Sequence, residues 1–193
     1  MNYLEKKHIV IFASGNGSNA LNLIRYFKKS DSIAVSAIFC NKKNAGVVQK
    51  AIDNRVAIQI INKEDFYTSK NVINWVAQCS PDLIVLAGFL WLVPQDFIEF
   101  FSGKIINLHP SLLPKYGGKG MFGHHVHEAV LNANETETGI TIHEVNEAFD
   151  EGKTLFQVKC HISENDSIET ISSKIHDLEH EHLPIVVERF LNG

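Results

Sequence analysis

The sequence has few cysteines and no long apolar run, and both absences exclude classes of protein. Its 193 residues include three cysteines, an odd number without a CxxC pair, so we expect neither a disulfide framework nor a thiolate zinc site. No apolar run approaches the roughly 20 residues that cross a bilayer. Residues 1–7 also lack the apolar stretch of a signal peptide. We therefore expect a cytoplasmic protein with no membrane partner.

An excess of basic residues is also absent. Lysine and arginine total 18 against 22 acidic residues, which gives a net charge of -4. Proteins that wrap a nucleic-acid backbone need an excess of cations, so no nucleic-acid partner is expected. The apolar share of 45% and the charged share of 21% are ordinary for a globular protein. We expect a monomer or homodimer that acts on small-molecule substrates.

The order of apolar runs predicts an α/β protein. Short runs rich in β-branched residues suit strands that are buried on both faces, and segments with helical spacing separate them. The predicted strands of this kind cover residues 8–13, 33–39, 57–61, 83–87 and 104–108. Such alternation implies right-handed crossovers and a three-layer, Rossmann-like fold with a mostly parallel central sheet. Without a linker or repeat, residues 1–193 are predicted to be a single domain.

The last third of the chain predicts a different arrangement. Residues 139–145 and 154–162 are expected to form two strands in a hairpin-like pair. A final helix follows, because Asp166 and Glu169 have the spacing of a capping box and an apolar stripe comes next. Pro184 is expected to kink or end that helix.

A glycine-rich turn follows the first strand. Residues 14–19 read Ser-Gly-Asn-Gly-Ser-Asn, and a helical pattern comes directly after them. Backbone N–H groups at such a turn, together with the partial positive charge of a helix start, can bind a phosphate. The second strand does not end in the acidic residue that would hold an adenosine ribose, so a monophosphate is favoured over NAD. A tight turn without a ligand is the alternative.

A second group of candidate residues lies where the fifth strand ends. Asn107 and His109 are one residue apart, so their side chains point the same way on a strand. An amide N–H and an imidazolium can polarise a carbonyl and hold the negative charge that develops when an amine attacks it. Asp150, in a polar loop between the last two strands, could orient the histidine or move a proton. The alternatives are turn residues and a histidine that is satisfied structurally.

Ten histidines also raise the question of a metal site. His176 and His180 have the i, i+4 spacing of paired zinc ligands, but they lack the H-E-x-x-H pattern. His124, His125 and His127 lie beside a glycine-rich stretch without a nearby acidic cluster. We therefore expect solvated histidines and no metal.

Several motifs together resemble the folate-dependent formyltransferases. The string from Asn107 to Tyr116 reads NLHPSLLPKY, and the pattern N-x-H-P-S-x-L-P is specific for that superfamily. The turn at residues 14–19, the segment LAGF at 86–89, GITIH at 139–143 and FDEG at 149–152 follow the family in order and spacing. The resemblance covers nearly the whole chain.

The resemblance implies a reaction and roles for the candidate residues. It implies transfer of the formyl group of 10-formyltetrahydrofolate, the co-substrate, to the glycine amine of phosphoribosylglycinamide in purine biosynthesis, without a metal. Asn107 and His109 would stabilise the tetrahedral oxyanion, while Asp150 would hold His109 and relay a proton. The acceptor substrate would be bound by Ser14, Gly15, Asn16, Gly17, Ser18 and Glu179.

The family pattern also implies a site for the folate. Its pterin would lie against Leu86, Trp91, Leu92, Val93, Val145, Asn146, Glu147 and Asp150. The chain differs from the family at Trp91, where an arginine is common, and at Thr141, where a serine is common. The stretch 117–127 is longer and richer in glycine than the usual loop.

Other activities on the same scaffold remain open. A formyltetrahydrofolate hydrolase usually has an additional N-terminal regulatory domain and differs just after the histidine, and neither feature is present here. A transfer-RNA formyltransferase would need a nucleic-acid-binding extension. Sugar-nucleotide formyltransferases resemble the chain but lack so complete a phosphate loop. A ligand-binding protein that has lost the chemistry would have lost the acid or the donors, and all three are present.

Overall fold

The computed structural model describes residues 6–148 and 150–193, which build one seven-stranded sheet and seven helices. The strands in chain order are β1 (Lys7–Ala13), β2 (Ile33–Cys40), β3 (Ala57–Ile60), β4 (Leu83–Leu86), β5 (Ile105–His109), β6 (Glu137–Glu144) and β7 (Thr154–His161). The helices are α1 (Ser18–Phe27), α2 (Gly46–Asp53), α3 (Lys63–Tyr67), α4 (Asn71–Gln78), α5 (Gln95–Phe100), α6 (His124–Asn132) and α7 (Ile168–Asn192).

The sheet is parallel over most of its width. Its strand order is β3-β2-β1-β4-β5-β6-β7. Strands β1 to β5 pair in parallel, whereas β6 pairs antiparallel with β5 and β7 pairs antiparallel with β6. The predicted fold class, an α/β protein with a mostly parallel central sheet, is confirmed, and the last two strands form the expected antiparallel pair.

Alternate side chains of β1 enter two separate cores. Ile9 and Ile11 pack on the face that carries α1, α2, α6 and α7. Val10 and Phe12 pack on the opposite face, against α3, α4 and α5. Because β1 is covered on both faces, its sequence is a continuous apolar run without polar alternation.

The strand order reverses its direction of growth beside β1. The connections from β1 lead outward to β2 and β3, and the chain then returns to place β4 on the other side of β1. Loops at the carboxyl ends of β1 and β4 therefore diverge and leave a crevice, the usual ligand-binding place in open α/β sheets.

The beginnings of two helices differ from the sequence expectations. The sequence pattern predicts no helix at the position of the short α3, which begins where the Asn62 side chain accepts a hydrogen bond from Asp65 N at 2.9 Å. The capping box at α7 uses Ser167 and Thr170, one residue later than expected. Asp166 instead accepts from Ser163 N at 2.8 Å and binds the Lys174 ammonium, so its carboxylate closes the preceding turn.

Pro184 is expected to kink or end the last helix. It does not end the helix, because α7 continues to Asn192. Proline cannot donate the N–H that would bond the carbonyl of His180. That carbonyl accepts from Asn22 Nδ2 of α1 at 2.7 Å instead, so it still has a hydrogen-bond donor. At 25 residues α7 is long. Even so, no helix in the described part of the chain is long and apolar enough to span a membrane.

Gly139→Ala should destabilise the protein strongly. A Cβ at Gly139 would overlap the Val158 carbonyl oxygen across the β6–β7 pair and would lie 2.7 Å from Leu112 Cδ2. Backbone cannot move away as a flexible side chain can, so we expect the free energy of unfolding to fall by about 2 to 3 kcal/mol. Urea unfolding measures the loss.

Gly15→Ala is the matched control, because a Cβ there has no neighbour within 4 Å. We expect the control to change the free energy of unfolding by less than about 0.5 kcal/mol. Equal effects of the two substitutions would contradict the packing argument at Gly139.

Candidate active site

A cavity of about 710 Å³ opens at the carboxyl ends of β1, β4 and β5. One side, here called the polar wall, consists of residues 14–19 and Glu179. Another side, the apolar wall, consists of residues 86–93 together with Val145 and Asn146. Residues 118–123 of the glycine-rich stretch also line the cavity, beside the Asn107, His109 and Asp150 side chains.

The register between β5 and β6 brings Asn107 and His109 to fixed neighbours. Asn107 lies directly opposite His143, and His109 lies directly opposite Thr141. The short cross-strand distance lets Asn107 Nδ2 approach His143 Nε2 to 3.1 Å. His109 and His143 are both buried, with 3% and 2% of their surface exposed. The two candidate donors of β5 are therefore held on a rigid element.

Asp150 meets both histidines. Its Oδ2 is 3.6 Å from His109 Nδ1, and its Oδ1 is 3.5 Å from His143 Nε2. Gly118 N donates to Oδ2 at 2.9 Å, and Asn107 Nδ2 donates to Oδ1 at 3.3 Å. The backbone of Asp150 is left-handed, with φ of 56°, which is uncommon for a residue other than glycine. Four partners on three different segments thus hold this carboxylate in place.

Backbone carbonyls fix a proton on each histidine. His109 Nε2 is 2.8 Å from Tyr116 O, and His143 Nδ1 is 2.8 Å from Glu144 O. A carbonyl has no proton to give, so each of these ring nitrogens must donate. In the neutral rings, His109 Nδ1 and His143 Nε2 then carry lone pairs, and His143 Nε2 can accept from the Asn107 amide.

Burial and charge shift the pKa values of this group. Burial lowers the pKa of His109 below its usual value, although the Asp150 carboxylate and the Tyr116 carbonyl act in the opposite direction. Burial alone would raise the pKa of Asp150. The contacts with His143, His109 and Gly118 N outweigh burial, so the pKa of Asp150 is lowered. Asp150 is therefore a carboxylate at neutral pH.

The side chains of the polar wall mostly hold the glycine turn itself. Ser14 Oγ accepts from Leu90 N at 2.9 Å, which ties this turn to the apolar wall. Asn16 Oδ1 accepts from Lys50 Nζ at 2.7 Å. Gly17 has φ of 75°, and a Cβ there would lie 2.5 Å from Val47 Cβ. What the turn can offer a ligand is thus backbone N–H groups at the start of α1, where four lack partners within the helix.

Glu179 is the acidic member of the polar wall. Its Oε2 accepts from Asn19 Nδ2 at 2.8 Å, across the contact between α1 and α7. Burial raises the pKa of Glu179, although the Asn19 bond and His176 act to lower it. His176 also lines the cavity, and its ring centroid is 3.9 Å from that of His180. The family resemblance implies a site role for Glu179 but not for Asn19 or His176.

The apolar wall rests on an aromatic cluster. The Trp91 ring centroid lies 6.0 Å from those of Tyr67 and Phe89. Tyr67 also donates to Leu92 O at 3.0 Å, which fixes the loop backbone. Five further residues expected in the folate site line the cavity here, namely Leu86, Leu92, Val93, Val145 and Asn146.

Glu147, which the family resemblance places in the folate site, lies outside this wall. Glu147 is not among the residues that line the cavity, and its side chain is exposed. Its Oε1 accepts from Gln95 Nε2 of α5 at 3.3 Å. The chain turns at Asn146, whose Oδ1 accepts from Ala148 N.

The histidine clusters form no metal centre in the described residues. Among residues 6–148 and 150–193, no group of three or more histidine, cysteine or acidic side chains could hold a metal ion. His124 and His125 are exposed. His127 is instead buried, with 5% of its surface exposed, so the expectation that it is solvated is wrong. Val126 and His127 lie on the side of α6 that packs into the protein.

Comparison with known proteins gives a consistent assignment. The family model described as "Formyl transferase" matches residues 7–187. Proteins named phosphoribosylglycinamide formyltransferase are 33% identical in Bacillus subtilis and 32% identical, as a chloroplastic form, in Arabidopsis thaliana. The matches cover 96% and 91% of this chain. The chain spans 95% of the Bacillus protein but only 62% of the Arabidopsis protein.

This chain belongs to the formyl transferase family. A crystal structure of phosphoribosylglycinamide formyltransferase from Brucella melitensis agrees with it at a TM-score of 0.87 and 32% identity. The match covers 98% of this chain and 97% of that structure. The family resemblance read from the sequence is thereby confirmed.

The contacts of His143 are a buried part of the site that the sequence motifs do not indicate. His143 is part of the GITIH motif, yet nothing in its spacing indicates that it faces Asn107 and Asp150. The register of an antiparallel pair decides that contact, and a shift by one residue would turn His143 to the other face. Knowledge of the β5–β6 register would have found it.

Glu179→Gln should stabilise the protein above acidic pH. A carboxyl with a raised pKa binds protons more tightly when folded, so its stability contribution is lost as pH rises from the unfolded value near 4.3 through the folded pKa. A glutamine keeps an oxygen for Asn19 Nδ2 and removes the charge. We expect Tm at pH 8 to exceed that of the wild type, and Tm at pH 3.5 to be equal.

Glu181→Gln on the same helix is the control, because the Glu181 side chain is 68% exposed. It should leave Tm nearly unchanged at both pH values. A lower Tm for Glu179→Gln at pH 8 would mean that the charged form is the stabilising one, contrary to the direction of its pKa.

Proposed function

We propose that this chain transfers the formyl group of 10-formyltetrahydrofolate to the amine of phosphoribosylglycinamide. The observation that carries the proposal is the group Asn107, His109 and Asp150, which lies in one cavity between a glycine turn and an apolar wall. The names of the relatives support the choice of acceptor. The activity is proposed for the cytoplasm, as part of purine biosynthesis.

The polar wall fits the acceptor. A phosphate at the start of α1 would meet backbone N–H groups and the positive end of a ten-residue helix. Gly15 leaves open space beside this turn, since a Cβ there would have no neighbour within 4 Å. Glu179 and Asn19 offer an acceptor and an amide to the ribose or the amine end. The candidate acceptor residues Ser14 to Ser18 and Glu179 all line the cavity.

The apolar wall fits the formyl donor. A pterin is a flat, partly polar ring that can stack against apolar side chains and hydrogen-bond at its edge. Leu86, Trp91 and Val93 supply such a surface, and the loop backbone near Asn146 supplies polar groups. Trp91 replaces the arginine that is common in the family, so part of the donor contact here is apolar rather than ionic.

The reacting groups then have separate tasks. The acceptor amine attacks the formyl carbon, and the carbonyl oxygen becomes an oxyanion that needs donors. His109 offers a hydrogen at Nδ1 when it is protonated, a state that burial opposes and the Asp150 carboxylate favours. Asn107 offers the hydrogen that otherwise contacts Asp150 at 3.3 Å. The amine nitrogen loses a proton and the folate nitrogen gains one when the old C–N bond breaks. Asp150, held as a carboxylate, stabilises the imidazolium and relays the proton through water.

The direct test is a formyl-transfer assay with three acceptors. Phosphoribosylglycinamide should be formylated fastest, while water and an amino-sugar nucleotide should react far more slowly. Faster hydrolysis of the donor in the absence of an amine would indicate a formyltetrahydrofolate hydrolase. Faster reaction of the sugar nucleotide would identify it as the acceptor. Binding of both substrates without turnover would indicate a ligand-binding protein rather than an enzyme.

His109→Ala and Asn107→Ala should each lower kcat by about 100 to 1000 fold, the usual cost of removing one oxyanion donor. KM for either substrate should change far less, because the donors matter most once the oxyanion forms. Steady-state kinetics on folded variants measure both quantities. His161→Ala, an exposed histidine at the end of β7, is the control and should keep wild-type rates. Retention of more than about a third of kcat by either site variant would refute its oxyanion role.

Gly15→Val should raise KM for phosphoribosylglycinamide and spare that for the folate. A Cβ at Gly15 has open space around it, so we expect the valine side chain to project beside the phosphate-binding turn. Gly17 is unsuitable for this test because any Cβ there collides with Val47. A dephosphorylated acceptor should bind weakly to the wild type and lose little more in the variant. Equal losses for both acceptors would place the phosphate elsewhere.

A further inference from the structure

The Tyr116 carbonyl oxygen determines which ring nitrogen of neutral His109 carries the lone pair. Because this carbonyl takes the Nε2 proton at 2.8 Å, the neutral ring has no proton at Nδ1. Nδ1 lies 3.6 Å from Asp150 Oδ2, so a lone pair there faces a carboxylate. Only the protonated ring resolves this repulsion and offers a hydrogen at Nδ1. The position of the Tyr116 carbonyl therefore couples the site geometry to the charge on His109.

Ser111 is the side chain that closes the turn leading to this carbonyl. Its Oγ donates to Lys115 O at 2.8 Å and lies 3.4 Å from Tyr116 O. Ser111 is fully buried, so no solvent competes for its hydroxyl. The bond closes the turn of residues 111–116, which Lys115 N also closes by donating to Leu112 O at 3.1 Å.

The turn needs such support because Tyr116 itself is strained. Its φ of 56° lies in the left-handed region, which costs a residue with a side chain of this size some conformational energy. The backbone of Ser111 is itself fixed by β6, because its carbonyl accepts from Thr141 Oγ1 at 2.6 Å. Without the Ser111 hydroxyl, the Lys115 carbonyl loses the buried donor that keeps this turn, and the Tyr116 carbonyl after it, directed toward His109.

We infer that Ser111 is a positioning residue that, by fixing the Tyr116 carbonyl against His109 Nε2, reserves Nδ1 of His109 for the reacting oxygen. Ser111 does not contribute to the chemistry directly and acts only through His109. The part of this inference that concerns the reacting oxygen rests on the proposed formyl transfer. The part that concerns the tautomer does not.

The consequence for pH follows from the groups that face His109. Asp150 and the Tyr116 carbonyl raise the pKa of His109, while His143 lowers it and burial lowers it most. Asp150 itself is faced by His109, His143, Asn107 and Gly118 N. Loss of the carbonyl contact removes one of the two influences that raise the pKa, so His109 should release its proton at lower pH. The alkaline limb of kcat would then move to lower pH.

The test compares Ser111→Ala, Ser111→Cys and the wild type by two independent readouts. Nitrogen-15 NMR of labelled histidine, with His109→Gln to assign the signal, reports the tautomer without substrate. The pH profile of kcat in the formyl-transfer assay reports the charge. Ser36→Ala is the matched control, since Ser36 Oγ also donates to a backbone carbonyl, that of Ile9, but in β2 away from the cavity.

We expect His109 to be the Nε2–H tautomer in the wild type and in Ser36→Ala, and a mixture with the Nδ1–H tautomer in Ser111→Ala. The alkaline limb of Ser111→Ala should shift down by about 0.5 to 1 pH unit, the effect of one hydrogen bond, with KM changed less than about twofold. Ser111→Cys keeps a weak donor and much of the buried volume, and it should fall between the two.

An unchanged tautomer with an unchanged alkaline limb in Ser111→Ala would overturn the inference. A uniform loss of kcat at every pH with the same limb would also overturn it, because that is the result of a merely structural role. If the wild type transfers no formyl group, the proposed function fails, and the NMR tautomer still decides whether Ser111 positions His109.

Discussion

The contact between the Asp150 carboxylate and the His109 imidazole is the interaction on which the site depends. The two groups come from segments that are 41 positions apart in the chain, as their numbers show, and they meet at 3.6 Å in a buried place. A carboxylate is costly to bury unless donors and cations surround it. Asn107 and Gly118 N supply hydrogen-bond donors to this carboxylate, so the surrounding structure is organised around one negative charge.

The fold provides this arrangement by adding an antiparallel pair to a parallel sheet. Strands β1, β4 and β5 deliver their carboxyl ends to one edge, as in other open α/β sheets. Strand β6 then runs back along β5, which puts His143 and Thr141 opposite the two donors. The loop after β6 returns Asp150 to the same place. In the proposed reaction, the rigid strands hold the donors while the loops bring the acid and the substrates.

Much of the fold and part of the site follow from local patterns in the sequence. The apolar runs predict the strands best where both faces are covered, as in β1, β4 and β5, and the glycine turn and the N-x-H motif indicate where ligands collect. Local patterns do not reveal the short α3, whose five residues carry too little periodicity, or the continuation of α7 through Pro184, which depends on Asn22 of another helix. The His143 contact and the Tyr116 carbonyl depend on register and on a turn, and neither leaves a signal in residue type.

If Asp150 acts as a charged partner of His109, the Asp150→Asn substitution must change the pH dependence of kcat. The amide can still accept from Gly118 N, so the loop and the substrate sites should persist, with KM values within about threefold of the wild type. Without the negative charge, His109 loses its main stabilising partner as an imidazolium, and kcat should fall by about 100 fold or more. The limb of the kcat–pH profile that reports the ionisation of Asp150 and His109 should shift. An unchanged kcat together with an unchanged pH profile would contradict the role assigned to Asp150.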